Sequence, residues 1–440
     1  MYRNATPSRR EFLKLTAGTA ALGPFFLYGR RPGKTLKIAS WSHSLPSYDR
    51  WFEDEYAREW GAQHDTKVVL SRIPVEQISA RASSEVAAGT GHDLFMFPWP
   101  PAEYSWHAID HTEIYQAVAA KHGNVNRIGH RSTFDPKTKR YFAFADSWMP
   151  APLHYFRDYW GEAGVPLGPV HYDGLRSGGA RIRAKLGIPC GLSFSPTLEG
   201  NITLHTLLYA FRSGVLGADG NVIIRNARTI AALKYAKALF QDAGTPEQLT
   251  WATSGNVAAM EARRTSCTTS AISLLREAES QDSNVARQIL VSPPLVGSAG
   301  MMAVPYITSC SVVWNFARNT DGAKQFLVDL IDNFKTIYQK DQGCSFPTYQ
   351  NTVPDLIRRL ENDPKADPPY KYVRLKDALH WTPNLGFPGY ATPVAMEVFN
   401  SFVIPRMFRS FVKGELSAED AVQAAETAVK RISEKWSQTK

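Results

Sequence analysis

From residue 35 the chain switches back and forth between two hydrophobic periods, and that switching restricts its fold more than any other feature. Leu36 and Ile38 alternate with Lys37, the period of a half-buried strand, and Trp51, Phe52, Tyr56 and Trp60 then recur at helical spacing. Residues 67–73 read as a second strand. A helical stretch over 75–88 stops at Gly89, and Asp93-Leu94-Phe95-Met96-Phe97 makes a short buried strand that ends at Pro98. Strands and helices alternating at these lengths predict a parallel sheet covered by helices, because parallel neighbours need a crossover between them. Ligands on such sheets bind beyond the carboxyl ends of the strands. That places residues 41–46 and 98–104 beside any cleft.

The mixed pattern continues. Residues 172–292 combine both periods, with helical spacing clear over 229–241, and after Pro293-Pro294 come an apolar run over 301–316 and a helix from Asp321. Prolines break up 354–370. The last segment reads as the cleanest helix: Ser417 and Asp420 make a capping pattern, and Ala421, Val422, Ala425, Val429, Ile432 and Trp436 trace one face. With 440 residues, 44% of them apolar, the chain has material for two or three domains, each with a core. Cys190, Cys267, Cys310 and Cys344 lie far apart, with no C-x-x-C pair. They read either as small core hydrophobes or as one or two disulfides formed in an oxidising compartment.

The net charge of +9 invites a nucleic-acid reading that its distribution removes. The first 34 residues carry seven cations against one anion, so only +3 remains over the rest, too little for a phosphate-tracking surface. The basic segment is Ser8-Arg9-Arg10-Glu11-Phe12-Leu13-Lys14, followed by an apolar stretch over 15–28; it resembles a twin-arginine export signal. The expectation is a protein outside the cytoplasm, periplasmic or extracellular. An A-x-A cleavage site is missing and Pro24 is a poor residue to follow a cut, so an uncleaved N-terminal anchor is the alternative to processing.

An enzyme usually leaves a constellation of motifs. Gly33-Lys34-Thr35 resembles the end of a phosphate loop, but the upstream glycine position holds Tyr28. G-x-G-x-x-G, G-x-S-x-G and H-E-x-x-H do not occur. His107 and His111 stand four apart with Asp110 between them; without a third ligand they read as a solvated helix rather than a metal site. No cofactor or metal is therefore expected. Aromatic residues are abundant, and Trp41, Trp99, Trp148 and Tyr390 fall at strand ends or beside Pro and Gly. Flat rings with polar neighbours suit the C–H face and hydroxyl rim of a sugar.

Taken in order, these segments resemble the family-one extracellular solute-binding proteins of ABC importers, the clan of maltodextrin-binding proteins. The resemblance is carried by Leu36-Lys37-Ile38-Ala39-Ser40-Trp41 and by Gly91-His92-Asp93-Leu94-Phe95, where the family has G-x-D. Residues 153–164 are similar to the family's l-x-Y-N-x-D-x-x-x-x-A-G, with Phe156 in place of Asn. Ala323-Lys324-Gln325-Phe326-Leu327 and residues 413–421 complete it, while the family's F-x-x-G-x-x-A-M segment is represented by residues 260–267 without the glycine.

The resemblance implies a two-lobed periplasmic-binding-protein-like α/β fold, each lobe a mixed sheet flanked by helices, joined by a multi-segment hinge. Lobe one would be 35–146 plus 294–350, and lobe two 147–293 plus 351–440. The cleft would receive Trp41, His43, Ser44, Trp99, Ser147 and Trp148, with Glu199, Asn201, Ser270, Ser273 and Tyr390 from lobe two. The implied protein is a monomeric, non-enzymatic carrier of a carbohydrate, an oligosaccharide or glycoside, to the permease subunits of an ABC importer. The alternative is an exported enzyme acting on a glycan or using a bound cofactor; within the binding class, polyamine, phosphate-ester and metal ligands stay open.

Overall fold

The computed structural model describes residues 33–280 and 284–438. The twin-arginine run and the apolar stretch after it lie outside the described residues. β1 (Lys34–Trp41) pairs in parallel with β2 (Thr66–Ile73) on one side and β3 (Leu94–Phe97) on the other, Ile38 standing opposite Leu94. The helical run between β1 and β2 contains a π-helical turn, Phe52–Ala57, and brings Phe52, Tyr56 and Trp60 onto the ring of Phe326. α1 (Ile78–Ala88) returns the chain to β3 and ends at Gly89, whose φ of 61° is the left-handed conformation that glycine adopts without strain. α2 (Thr112–His122) and α3 (Arg127–Thr133) lead into β4 (Phe144–Met149).

A second sheet begins at β5 (Leu153–Phe156), followed by α4 (Tyr172–Leu186), α5 (Leu198–Ala210), α6 (Ala227–Ala243), β6 (Cys267–Thr269) and β7 (Ile289–Ser292). β8 (Ile307–Val313), α7 (Thr320–Asp332) and β9 (Phe346–Pro347) return to the first sheet. The chain finishes with α8 (Pro393–Asn400), α9 (Val403–Lys413) and α10 (Ala418–Gln438), which pack on one another, with α9 also against α5 and α6. The first sheet has the order β9-β4-β8-β3-β1-β2, with β8 antiparallel to both neighbours. The second has the order β6-β5-β7 and is antiparallel throughout. Because β4 stays hydrogen-bonded in the first sheet as far as Met149, the passage to the second lies at residues 150–152.

Burial explains which segments became which element. All four residues of β3 and all six of β4 are buried, as expected of inner strands covered on both faces. α5 is buried from Glu199 through Ala210, so it runs inside the body rather than over it. One core cluster spans both halves, joining Phe95 and Trp148 of the first sheet to Ile202, Met396 and Phe399 of the second body. The four cysteines are free and buried, small hydrophobes of the core. On α10, Ala421, Val422, Ala425 and Val429 face inward, and the Asp420 amide donates to Ser417 Oγ at 3.1 Å. Among the described residues no helix is long and apolar enough to cross a membrane.

Candidate functional site

The carboxyl end of β1 opens a chain of rings within the first body. Trp41 meets His43 at 5.3 Å between centroids, and His43 meets Tyr48 at 4.6 Å. The Leu45 amide donates to His43 Nδ1 at 3.0 Å, which leaves the ring proton on Nε2. Burial, and then the nearby Arg72, lower the His43 pKa to about 3, so the ring is a neutral donor at ordinary pH. Its Nε2 has no hydrogen-bond partner among the described residues.

Trp41, His43, Tyr48, Asp146 and Ser147 line a cavity of about 40 Å³. Inside it Ser147 Oγ donates to Asp146 Oδ1 at 2.6 Å and Ser309 Oγ donates to Oδ2 at 3.0 Å. Even so, burial pushes the Asp146 pKa up to about 7. A cavity of that size holds roughly two or three waters. It is far below the roughly 300 Å³ at which small-molecule pockets begin. All of its lining residues belong to the first sheet and the segments packed on it, so it lies inside the first body rather than between the two.

The second body presents the first turns of α5. Thr197 caps the helix by accepting from the Gly200 amide, and a Cβ on Gly200 would stand 1.9 Å from the Ser195 carbonyl oxygen, so only glycine allows this approach. Beside it Glu199 Oε1 accepts from the Ser254 amide at 3.0 Å and from the Tyr306 hydroxyl at 3.1 Å. Oε2 has no partner among the described residues. Tyr306 thus holds Glu199 while its own amide donates to the Met149 carbonyl at 2.8 Å, and the buried Ser270 donates its amide to the Pro152 carbonyl at 3.4 Å. Asn201 Nδ2 donates to the Phe399 carbonyl at 2.8 Å, leaving Oδ1 without a partner among the described residues.

Where the two bodies face each other, Trp99 is half-buried against Phe399 at 6.1 Å, and the His205 ring backs Phe399 at 5.6 Å. The expected residues thus separate: Trp41, His43 and Ser147 stand around the small cavity, Glu199 beside Tyr306, Trp99 with Asn201 around Phe399, and Ser270 is buried apart from these contacts. Trp148 is 2% exposed and packs on Phe346 inside the first body. Ser44 is exposed, and Ser273 is half-buried at the start of the helix Ser273–Ser280. Tyr390 lies on α3, its ring 5.6 Å from the Arg131 guanidinium and 5.7 Å from His130, in a loop held there by Arg131 Nη1 donating to the Pro388 carbonyl at 2.8 Å. It does not face Trp41 or Trp99 across a gap in any ring contact of the structure.

Sequence reading missed Asp146, His205, Tyr306 and Phe399. Asp146 had a visible signal, a carboxylate in the middle of an apolar strand, and Tyr306 another, a hydroxyl in the run over 301–316. His107 and His111 need a correction: they do not share a solvated helix. His107 ends the 3-10 helix Ala102–His107, whereas His111 precedes α2 and is fully buried. His111 Nε2 accepts from the Val313 amide at 3.0 Å and Nδ1 donates to the Tyr141 carbonyl at 3.2 Å, which makes it a structural tie between α2 and β8. Among the described residues no group of three or more His, Cys, Asp or Glu could hold a metal ion.

No protein-family model matches the chain, and no curated protein matches it by sequence. Solved structures do. A putative oligosaccharide periplasmic-binding protein from Synechococcus sp. MITs9220 aligns with a TM-score of 0.77 at 17% identity, covering 91% of this chain and 100% of that one. Maltose-bound MalE3 of T. maritima gives 0.74 at 18% identity over 91% of this chain and 100% of its own. The GacH receptor of Streptomyces glaucescens, solved unliganded and with acarbose, gives 0.73 at 15% identity over 91% and 98%. The chain has the two-lobed α/β fold of periplasmic binding proteins.

Proposed function

We propose that this chain is an exported solute-binding protein that captures a carbohydrate between two lobes and delivers it to the permease subunits of an ABC importer. The observation that carries the reading is the junction itself. Two α/β bodies meet where Trp99 of the first lies against Phe399 of the second, and buried polar atoms are left with unused hydrogen-bonding capacity: one carboxylate oxygen of Glu199 and the amide oxygen of Asn201 in the second body, and the N–H of His43 in the first. An apolar ligand would strand those groups, whereas a polyol can satisfy donors and acceptors while stacking its C–H faces on the rings. Maltose and acarbose, named for two of the structural neighbours, are of that chemistry. In this reading lobe one is built on the first sheet and lobe two on the second, with the first crossing after Met149 and others before β8 and after β9. Delivery outside the cytoplasm rests on the twin-arginine run of residues 8–14.

The test is a thermal-shift screen of the purified protein against neutral oligosaccharides, glycosides, polyamines and phosphate esters. A sugar at 100 times its Kd stabilises the fold by about 2.7 kcal/mol. Chromatography should recover that sugar chemically intact. Stabilisation by a polyamine or phosphate ester alone overturns the carbohydrate assignment, and turnover of the bound sugar overturns the carrier assignment.

A further inference from the structure

We propose that Glu103 and Asn400 form a latch that holds the lobes together across the mouth of the junction, so that it governs entry and release of a ligand without being part of the hinge. The proposal rests on the two-lobed carrier reading, but its first test does not need a ligand. Glu103 stands in the 3-10 helix Ala102–His107, four residues beyond Trp99 on the loop that leaves β3, and so belongs to the first body. Asn400 is the last residue of α8, which packs on α9 and α10 and so belongs to the second.

Asn400 is held in place from behind. The carbonyl of its neighbour Phe399 accepts from Asn201 Nδ2 at 2.8 Å, and the Phe399 ring rests on His205, both from the buried helix α5. From that support Asn400 Nδ2 donates to Glu103 Oε1 at 2.5 Å, beside the Trp99–Phe399 ring contact. A hydrogen bond to a carboxylate shielded from water is among the stronger single contacts. Glu103 Oε2 is buried without a partner among the described residues, so the first body bears the desolvation of a carboxylate for the sake of this one donor. Neither residue lies in a segment that passes between the sheets, so the contact breaks when the lobes part and reforms when they meet. The Trp99 and Phe399 rings meet beside it, so a ligand reaches this part of the seam only once the contact has opened.

The experiment is small-angle scattering of the purified full chain without ligand, comparing wild type with Glu103→Ala, Glu103→Gln and Asn400→Ala. Glu103→Gln keeps an acceptor oxygen for Asn400 and should retain the compact profile. Glu103→Ala and Asn400→Ala should each enlarge the radius of gyration while circular dichroism stays native. Approaching the contact from both lobes guards against one variant failing to fold. If either alanine variant is natively folded yet scatters like wild type, the latch is wrong, and so it is if both alanine variants lose their fold, since the pair is then needed for folding. In a second arm with maltose as the probe, dissociation from a folded alanine variant should be roughly tenfold faster than from wild type, with Glu103→Gln restoring it. An alanine variant that releases maltose at the wild-type rate likewise sinks the latch. A wild type that binds no sugar in the wider panel counts against the carrier reading, while the scattering comparison still decides the latch.

Discussion

At the scale of single residues, the first body places carboxyl groups where charge is expensive. Asp146 sits in the middle of β4, 5% exposed, and burial outweighs the two serine donors, so its pKa rises to about 7. Glu103 and Asp341 are pushed up to about 7 by burial as well. An aspartate in the unfolded chain has a pKa of about 3.9. Below that value folded and unfolded states both hold the proton, and the stability gained from a neutral, buried Asp146 is fully present. As pH rises toward 7 the unfolded chain releases its proton first, so unfolding becomes easier, by up to about 1.4 kcal/mol per pH unit for each such group. His43, lowered to about 3, opposes the trend, because its unfolded imidazole holds a proton up to about pH 6.5; His111, His154 and His205, lowered by burial in the same way, add to that rise in stability. The contribution of Asp146 is therefore read as a difference: denaturant unfolding at several pH values should show Asp146→Asn gaining stability relative to wild type as pH rises from about 5 to 7. An unchanged slope in that variant would mean that Asp146 already ionises freely in the folded protein.

At the scale of elements, the same side chain takes a different job according to what carries it. Trp148 lies in β4, an inner strand with both faces covered, and Trp99 lies on the loop after β3, where one side of its ring meets the opposite lobe. Trp148→Ala should cost about 3 to 5 kcal/mol of folding free energy. Trp99→Ala should leave the ligand-free melting temperature close to native and weaken sugar binding at least about tenfold. Denaturation curves and calorimetric titration with a sugar found in the panel read the two effects separately. A large loss of stability in Trp99→Ala with unchanged affinity would assign that ring to the core. Tyr390 follows neither pattern, because its loop is tied to α3 by Arg131.

At the scale of the whole molecule, the sequence carries a run that resembles a twin-arginine signal ahead of a body that has no disulfides among its described residues. The two features agree physically. A twin-arginine signal exports a chain already folded, and folding in a reducing compartment favours buried thiols over cross-links. Replacing Arg9 and Arg10 together by Lys should leave the folded protein inside the cell, as read by immunoblots of cell fractions. Equal amounts outside the cytoplasm with and without the pair would remove the export assignment.

Much of the architecture could be read from periodicity, because a strand or helix buries a face that its own residues mark. The opening β-α-β unit, Gly89 as a helix stop, the helix within α6 and the inward face of α10 were all legible in this way. Local pattern also pointed to the loops after β1 and β3, and of these Trp99, after β3, meets Phe399 of the other body. It did not show that Tyr306 would hold Glu199, that Phe399 would receive both Trp99 and Asn201, or that His111 would be sealed in a core. Those outcomes depend on pairs separated by a hundred residues or more, such as Glu199 with Tyr306 and Asn201 with Phe399. The energy of such a pair arises only when elements far apart in the sequence are packed together, within one body for Asn201 and Phe399. Periodicity records which face of an element is buried, and the packing of one element against another decides what it is buried against.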